Sequence, residues 1–279
     1  MKLIADSGST KTDWVLADEA GIRARLQTQG INPFHQTEDD IRAILRDELL
    51  PQLPVQRLTV HFYGSGVRPE LEAVMERLLA TALPQADTVE AHGDLLGAAR
   101  AVCGRSEGIA CILGTGANSG LYDGRQIVQN TPPLGYILGD EGSGAVLGRQ
   151  LLNALYKGFM PPSVLSDFQI FTGMTMADVM ARVYRQPLAN RFLASLSPFI
   201  SSHLDVPEVR VMVVDSFRDF FRRNVVQYRR PYLPVGFVGS IANHYREQLA
   251  EAAGAEGFIV GNVLGSPVDG LVAYHRSQQ

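Results

Sequence analysis

Two stretches of this sequence share one design, and the repetition narrows the folds open to it. Leu3 to Asp18 read Leu-Ile-Ala-Asp-Ser-Gly-Ser-Thr-Lys-Thr-Asp-Trp-Val-Leu-Ala-Asp: an apolar strand, a turn of small hydroxylated residues around one glycine, and a second apolar strand. Ala110 to Asp123, Ala-Cys-Ile-Leu-Gly-Thr-Gly-Ala-Asn-Ser-Gly-Leu-Tyr-Asp, repeat that order about one hundred residues later. Paired hairpins at this spacing predict a duplicated α/β domain, each half offering one turn to a shared ligand. The turns suit phosphate. Gly8 lets the chain come close, and the hydroxyls of Ser7, Ser9, Thr10 and Thr12 join the turn's backbone amides as donors. Asp6, at the end of the first strand, is a carboxylate able to hold Mg²⁺ directly or through water. Strand, turn and strand with this chemistry point to phosphoryl transfer.

Two better-known phosphate motifs fail on the same residues. A P-loop needs glycine immediately before Lys11-Thr12, where Thr10 stands, and a dinucleotide fingerprint needs glycine at position 119, where Ser119 stands. Both motifs also require a helix after the turn, whereas Trp14-Val15-Leu16 reads as strand. At 279 residues, 46% hydrophobic and 19% charged, the chain has the profile of a globular enzyme of two ordinary domains. A net charge of −4 argues against nucleic acid or an anionic membrane as partner. The basic residues Arg218, Arg222, Arg223, Arg229 and Arg230 are interrupted by Asp219 and read as a solvated helix face. Cys103 and Cys111 match no common zinc spacing and read as two buried thiols. The amino terminus lacks the apolar core of a signal peptide, and no run approaches the roughly 18 to 20 apolar residues of a membrane span. The expectation is a soluble cytoplasmic protein.

Between the hairpins the pattern alternates. Helical spacing recurs over 39–50 and 69–83, with a strand over 58–63 running into Gly64-Ser65-Gly66. A short strand over 88–92 precedes Gly93-Asp94 and an Ala-rich helix over 95–103. In the second half, residues 162 to 230 are mostly helical, followed by strands over 234–238 and 258–260 and a last helix opened by Ser266-Pro267. Three further places carry chemistry. Asp94 stands at a helix start, where it serves either as a helix cap or as a general base. Gly139 to Gly148 hold Asp140 and Glu141 among four glycines, a helix entry that brings backbone close to a ligand. Gly236 to Ala242 end a strand on small residues against which a flat adenine can lie.

With these residues in place, the chain resembles the sugar kinase, Hsp70 and actin ATPase superfamily. Within it the chain is most similar to the N-acetylglucosamine kinase branch, which groups with the dehydratase-activator ATPases. The likeness covers essentially the whole length. Its carriers are Asp6 to Asp13, Gly93-Asp94, Gly114 to Asn118 and the branch-specific Gly135 to Ser143. The resemblance implies two ribonuclease H-like, actin-like domains with a cleft between them, closing on ATP, Mg²⁺ and a sugar. The first would hold residues 1–106 and 267–279, the second residues 107–266 with a helical insertion. Asp6 would hold Mg²⁺ and Asp94 would be the base toward the sugar's 6-hydroxyl, which decides between its two roles. Ser7, Gly8, Ser9, Thr10, Lys11 and Thr12 would contact the triphosphate, as would Gly114, Thr115 and Gly116. Gly239, Ser240 and Ala242 would lie along the adenosine. Asn32, Thr115, Gly135 and Asp140 would bind the sugar. The resemblance also implies a homodimer.

The chain departs from the branch at two positions. Leu134 stands where the animal enzymes carry tryptophan beside the N-acetyl group, and Ala117 where serine is usual. N-acetylmuramic acid therefore stands beside N-acetylglucosamine as the implied substrate. The alternative within the same branch is an activator ATPase that passes electrons to a dehydratase through an iron–sulfur cluster, each subunit giving two cysteines.

Overall fold

The computed structural model describes residues 1–8 and 10–276. The chain forms two compact units: Met1–Ser106 with Gly124–Gln126 and the segment from Pro267 onward, and Glu107–Asp123 with Ile127–Ser266.

The first unit is built on a five-stranded sheet. Strands β1 (Lys2–Ser7), β2 (Lys11–Asp18) and β3 (Gly21–Gln29) form an antiparallel meander, and β4 (Leu58–Gly64) and β5 (Ala86–Gly93) add in parallel beyond β1. The order is therefore β3-β2-β1-β4-β5. Alternation along β1 and β2 separates two faces. Leu3, Ala5, Trp14 and Leu16 pack against helices α1 (Glu38–Ile44) and α2 (Pro69–Ala82), together with Ile41, Met75 and Leu79. Ile4, Val15 and Ala17 on the other face pack against the C-terminal helix Val268–Arg276 through Val268, Leu271 and Val272. Helix α3 (Asp94–Cys103) leaves β5 directly, and its Gly97 lies flush on Tyr63: a Cβ there would come within 2.8 Å of the ring.

The second unit repeats this topology. Strands β6 (Gly108–Leu113), β7 (Ala117–Tyr122) and β8 (Ile127–Thr131) form the meander, and β9 (Val235–Val238) and β10 (Val260–Leu264) add in parallel beyond β6. A short helix α4 (Gly135–Leu138) and a long one, α5 (Gly144–Tyr156), follow the meander. Helical segments between Pro162 and Tyr228 then bury one large core, with Phe168, Phe199, Phe217, Phe220 and Phe221 packed against Leu151, Leu155 and Phe237. The α/β class expected from the sequence, two mixed sheets of equal design, is the observed one.

Three details differ from the sequence reading. Strands β3 and β8 were not foreseen; both sit at sheet edges, and five of the nine residues of β3 and three of the five of β8 are exposed. The last strand runs over Val260–Leu264 rather than 258–260, because Phe258 N–H still bonds to Ala253 O of the preceding helix. The helical course after Thr37, closed by a capping box with Asp40, changes pitch after Ile44 and continues as a π turn over Leu45–Leu49.

Candidate functional site

In the first unit the sheet register gathers the chemistry at one edge. Asp6 lies opposite Tyr63, Ser7 opposite Gly64, and Gly64 opposite Gly93, so Asp6 and Asp94 stand at the same end of the sheet, on β1 and just after β5, with the end of β4 between them. The helix cap of α3 is Gly93, which leaves Asp94 as the first helical residue. Its carboxylate accepts the Leu95 N–H, yet burial holds its proton affinity above the ordinary range. Asp6 is pushed up to about 7, first by burial and then by the negative charges of Asp94 and Asp13. Two crowded carboxylates of this kind ask for a proton or a cation between them.

The hydroxyls of the first turn divide in a way the sequence reading did not anticipate, and Ser7 and Thr12 stand apart from the rest. Both are buried. Ser7 Oγ lies 2.6 Å from Thr12 Oγ1, donates to Ile31 O at 2.9 Å and accepts from Ile31 N–H at 3.0 Å. Thr12 Oγ1 donates to Gln29 O at 3.1 Å. These side chains fasten the turn to the end of β3 and are not free to meet a phosphate. Gly8 N–H is likewise spent on Lys11 O at 3.0 Å. Thr10 and Lys11 remain exposed, with the Lys11 ammonium 2.8 Å from the Asp13 carboxylate. Ser9 lies outside the described residues.

Asn32 is nine-tenths buried beside this edge. Its side chain is held by Oδ1, which accepts from Phe34 N–H at 3.0 Å, and its backbone N–H donates to Gln36 Oε1 at 2.7 Å. It lies against Gly66, whose φ is +81° and where a Cβ would fall 2.1 Å from Asn32 Oδ1.

In the second unit, Gly114, Thr115 and Gly116 join β6 to β7 in a tight turn closed by Gly114 N–H to Gly116 O at 2.9 Å. Helix α5 is held beneath it: Gly144 N–H donates to Gly114 O at 2.8 Å and Ala145 N–H to Thr115 O at 3.2 Å. Ser143 caps the helix through Val146 N–H. Asp140, at φ +53°, donates its N–H to Pro133 O at 2.9 Å. Its carboxylate accepts the Ala117 N–H and lies against Gly116, where a Cβ would be 3.0 Å from Oδ2. Burial pushes Asp140 up to about 6. Thr115 and Gly135 are both exposed, Gly135 at φ +75° with open space around it. The turn and Asp140 thus form one assembly.

Gly239 and Ser240 stand at the end of β9, and a Cβ on Gly239 would fall 2.2 Å from Leu113 O. Ala242, read from the sequence as an adenosine contact, is fully buried in the unit's core. Two groups escaped sequence reasoning. Glu141, whose role the sequence left open, accepts from Asn224 Nδ2 at 3.2 Å, bracing the loop from a helix remote in sequence. Ser65, in the Gly64-Ser65-Gly66 exit already marked as a turn, donates its N–H to Ser7 O at 2.8 Å and has a buried hydroxyl. Cys111 is fully buried in β6, and burial pushes the Cys103 thiol up to about 11, so neither offers a reactive thiolate.

No family model matches the chain, and no curated protein matches it. Among solved structures it is similar to a putative N-acetylglucosamine kinase from Porphyromonas gingivalis, with 51% identity, 100% of this chain and 99% of that chain covered, and a TM-score of 0.95. A putative N-acetylglucosamine kinase from Chromobacterium violaceum shares 20% identity over 98% of each chain at a TM-score of 0.70. A glucokinase of the ROK family from Streptomyces griseus, in complex with glucose and AMPPNP, shares 14% identity over 98% of this chain and 97% of that one, at a TM-score of 0.54. The last two likenesses are of fold.

Proposed function

We propose a function from one premise: this chain belongs to the N-acetylglucosamine kinase branch of the sugar kinase, Hsp70 and actin ATPase superfamily. It is a sugar kinase. More specifically, it transfers the γ-phosphoryl group of ATP to the 6-hydroxyl of an N-acetylated amino sugar, N-acetylglucosamine or N-acetylmuramic acid.

One observation carries the reading within the molecule: Asp6 and Asp94 stand at one end of the sheet, on the strands either side of β4, close enough for the charge of Asp94 to raise Asp6. Their roles differ by surroundings. Asp94, held by the start of α3 and raised by burial, is suited to take the proton of the acceptor hydroxyl. Asp6, repelled by Asp94 and Asp13, fits a divalent cation, whose charge would relieve that repulsion. Among the described residues no cluster of three or more His, Cys, Asp or Glu is set to hold a metal alone. That suits Mg²⁺, which is ordinarily bound by one or two carboxylates together with substrate phosphates. Bound there, Mg²⁺ would neutralise charge on the phosphates. Thr10, Lys11 and the Gly114 to Gly116 turn are read as phosphate contacts, and Gly239 with Ser240 as the adenosine contact. Asn32, Thr115, Gly135 and Asp140 are read as the sugar contacts; Asp140 is held ready by Ala117 N–H.

The test is ADP release with Mg-ATP against N-acetylglucosamine, N-acetylmuramic acid, glucosamine and glucose. Strong turnover with an N-acetylated sugar, abolished in Asp94→Asn with ATP affinity kept, is the expected result. Turnover in Asp94→Asn close to that of the unaltered protein would refute the assignment of the base.

A further inference from the structure

The hydroxyl of Ser65 is buried and has no hydrogen-bond partner among the described residues. A buried hydroxyl left unpaired costs free energy in the resting protein, and such groups call for a reason. Its position supplies one. Gly64 pairs in register with Ser7 on one side and Gly93 on the other, so Ser65 is the next residue beyond the strand end that separates Asp6 from Asp94. Its backbone is fixed there by the Ser65 N–H to Ser7 O bond of 2.8 Å. The following residue, Gly66, is pressed against Asn32, and a Cβ on Gly93 would lie 3.0 Å from Val67 O of the same turn. The Gly64 to Val67 turn is thus wedged among the three residues read as cation ligand, base and sugar contact. Flanking glycines allow that closeness, and of Gly64, Ser65 and Gly66 Ser65 alone carries a side chain.

We propose that Ser65 is a catalytic residue that donates a hydrogen bond to a non-bridging oxygen of the phosphoryl group in flight. The proposal rests on the kinase reading above. The acceptor oxygen forms its bond to the γ-phosphorus as its proton passes to Asp94. The bond from that phosphorus to the β-phosphate oxygen breaks, and its electron pair leaves on ADP. Ser65 keeps its proton throughout and serves as a fixed dipole toward the equatorial oxygens. A donor waiting unpaired at that point needs no reorganisation when charge moves onto those oxygens. A hydroxyl is also compatible with two adjacent carboxylates, where a lysine or arginine would pair with them instead.

The experiment compares Ser65→Ala and Ser65→Cys with the unaltered protein by three measurements. Cysteine keeps the volume but is a weak donor, so it separates donation from packing. Expected are a fall in kcat of about 100-fold in both variants, the scale for losing one such donor, with KM for ATP little changed. Calorimetric binding of ADP with aluminium fluoride and sugar should weaken more than 10-fold in both, while binding of ADP alone stays the same. The melting temperature of each free variant should equal or exceed that of the unaltered protein, since an unpaired buried hydroxyl has been removed. Turnover in Ser65→Cys close to normal, or unweakened aluminium fluoride binding, overturns the proposal and leaves the kinase reading standing. Absence of sugar-dependent turnover in the unaltered protein overturns both.

Discussion

At the scale of single residues, strand periodicity decides which hydroxyls are available. Ser7 follows Leu3 and Ala5 on the face that packs on α1 and α2, and Thr12 precedes Trp14 on that same face. Period two already assigns both hydroxyls to the interior, although their residue types suggest a ligand. Replacing Ser7 by alanine removes partners from Ile31 N–H and from Thr12. Urea unfolding should show Ser7→Ala destabilised by about 1–3 kcal/mol. Thr10→Ala, at an exposed position, should stay within about 0.5 kcal/mol of the unaltered protein. Gly116 makes the complementary case. A methyl group there meets Asp140 Oδ2 at 3.0 Å, so the carboxylate must move off Ala117 N–H. Gly116→Ala should therefore raise KM for the sugar about 5-fold, or ~1 kcal/mol, with the melting temperature nearly unchanged. An unaltered sugar KM would remove Asp140 from the sugar contacts.

At the scale of elements, legibility in the sequence followed burial. Strands β1, β2, β4, β6 and β9 are mostly buried and read clearly as apolar runs. Edge strands β3 and β8 face solvent along most of their length, so Arg23, Arg25 and Gln27 look like loop and nothing local marks the ladder. The placement of a candidate residue was legible where a strand end and a glycine coincide, as at Asp6, Asp94 and Gly114. It was illegible where the position depends on a distant element: the burial of Ala242 comes from the packing of the core, which nothing local to the Gly239 turn marks. Gly239 is a glycine whose reason is an element contact. At φ +126° it lets the end of β9 touch the end of β6, where a Cβ would lie 2.2 Å from Leu113 O and 3.3 Å from Gly114 N. Gly239→Ala brings both backbone strain and a clash with main chain, which cannot swing aside as a side chain can. Chemical denaturation should show a loss of at least about 2 kcal/mol. If the stability is unchanged, β9 and β6 are not locked at this point.

At the scale of the whole molecule, the response to pH combines groups whose contributions have opposite sign. His61 is buried in β4, its Nδ1 3.0 Å from Glu90 Oε2 and its ring stacked 3.7 Å from that of His275. His275 Nε2 lies 2.9 Å from the Tyr63 hydroxyl, which accepts from Arg100 at 2.6 Å, and the His275 carbonyl accepts from Lys2. Burial lowers the pKa of His61; Glu90 opposes that, while Lys2 and Arg100 add to it. Its Nε2 is buried without a partner, so a proton there finds no acceptor. The folded chain thus holds His61 neutral at a pH where the unfolded chain, with an ordinary value of 6.5, takes up a proton. Stability from this group is present above pH 6.5 and is lost as pH falls through the lowered folded value. Asp6 acts in reverse. The folded chain keeps its proton up to about 7 while the unfolded chain releases it near 3.8, so stability from Asp6 declines as pH rises between those values. The two overlap just below pH 6.5 and partly cancel, which makes the unaltered profile a poor guide to either. Variants separate them. Asp6→Asn removes the declining contribution, so urea midpoints should rise more steeply from pH 5 to 7 than in the unaltered protein. His61→Phe keeps the stacked ring and removes the titration, so its midpoints should rise less steeply from pH 5 to 6.5. Parallel profiles in all three proteins would mean that neither group keeps its folded protonation state at this pH. In that case the buried His61–His275 stack does not carry acid sensitivity to the C-terminal helix.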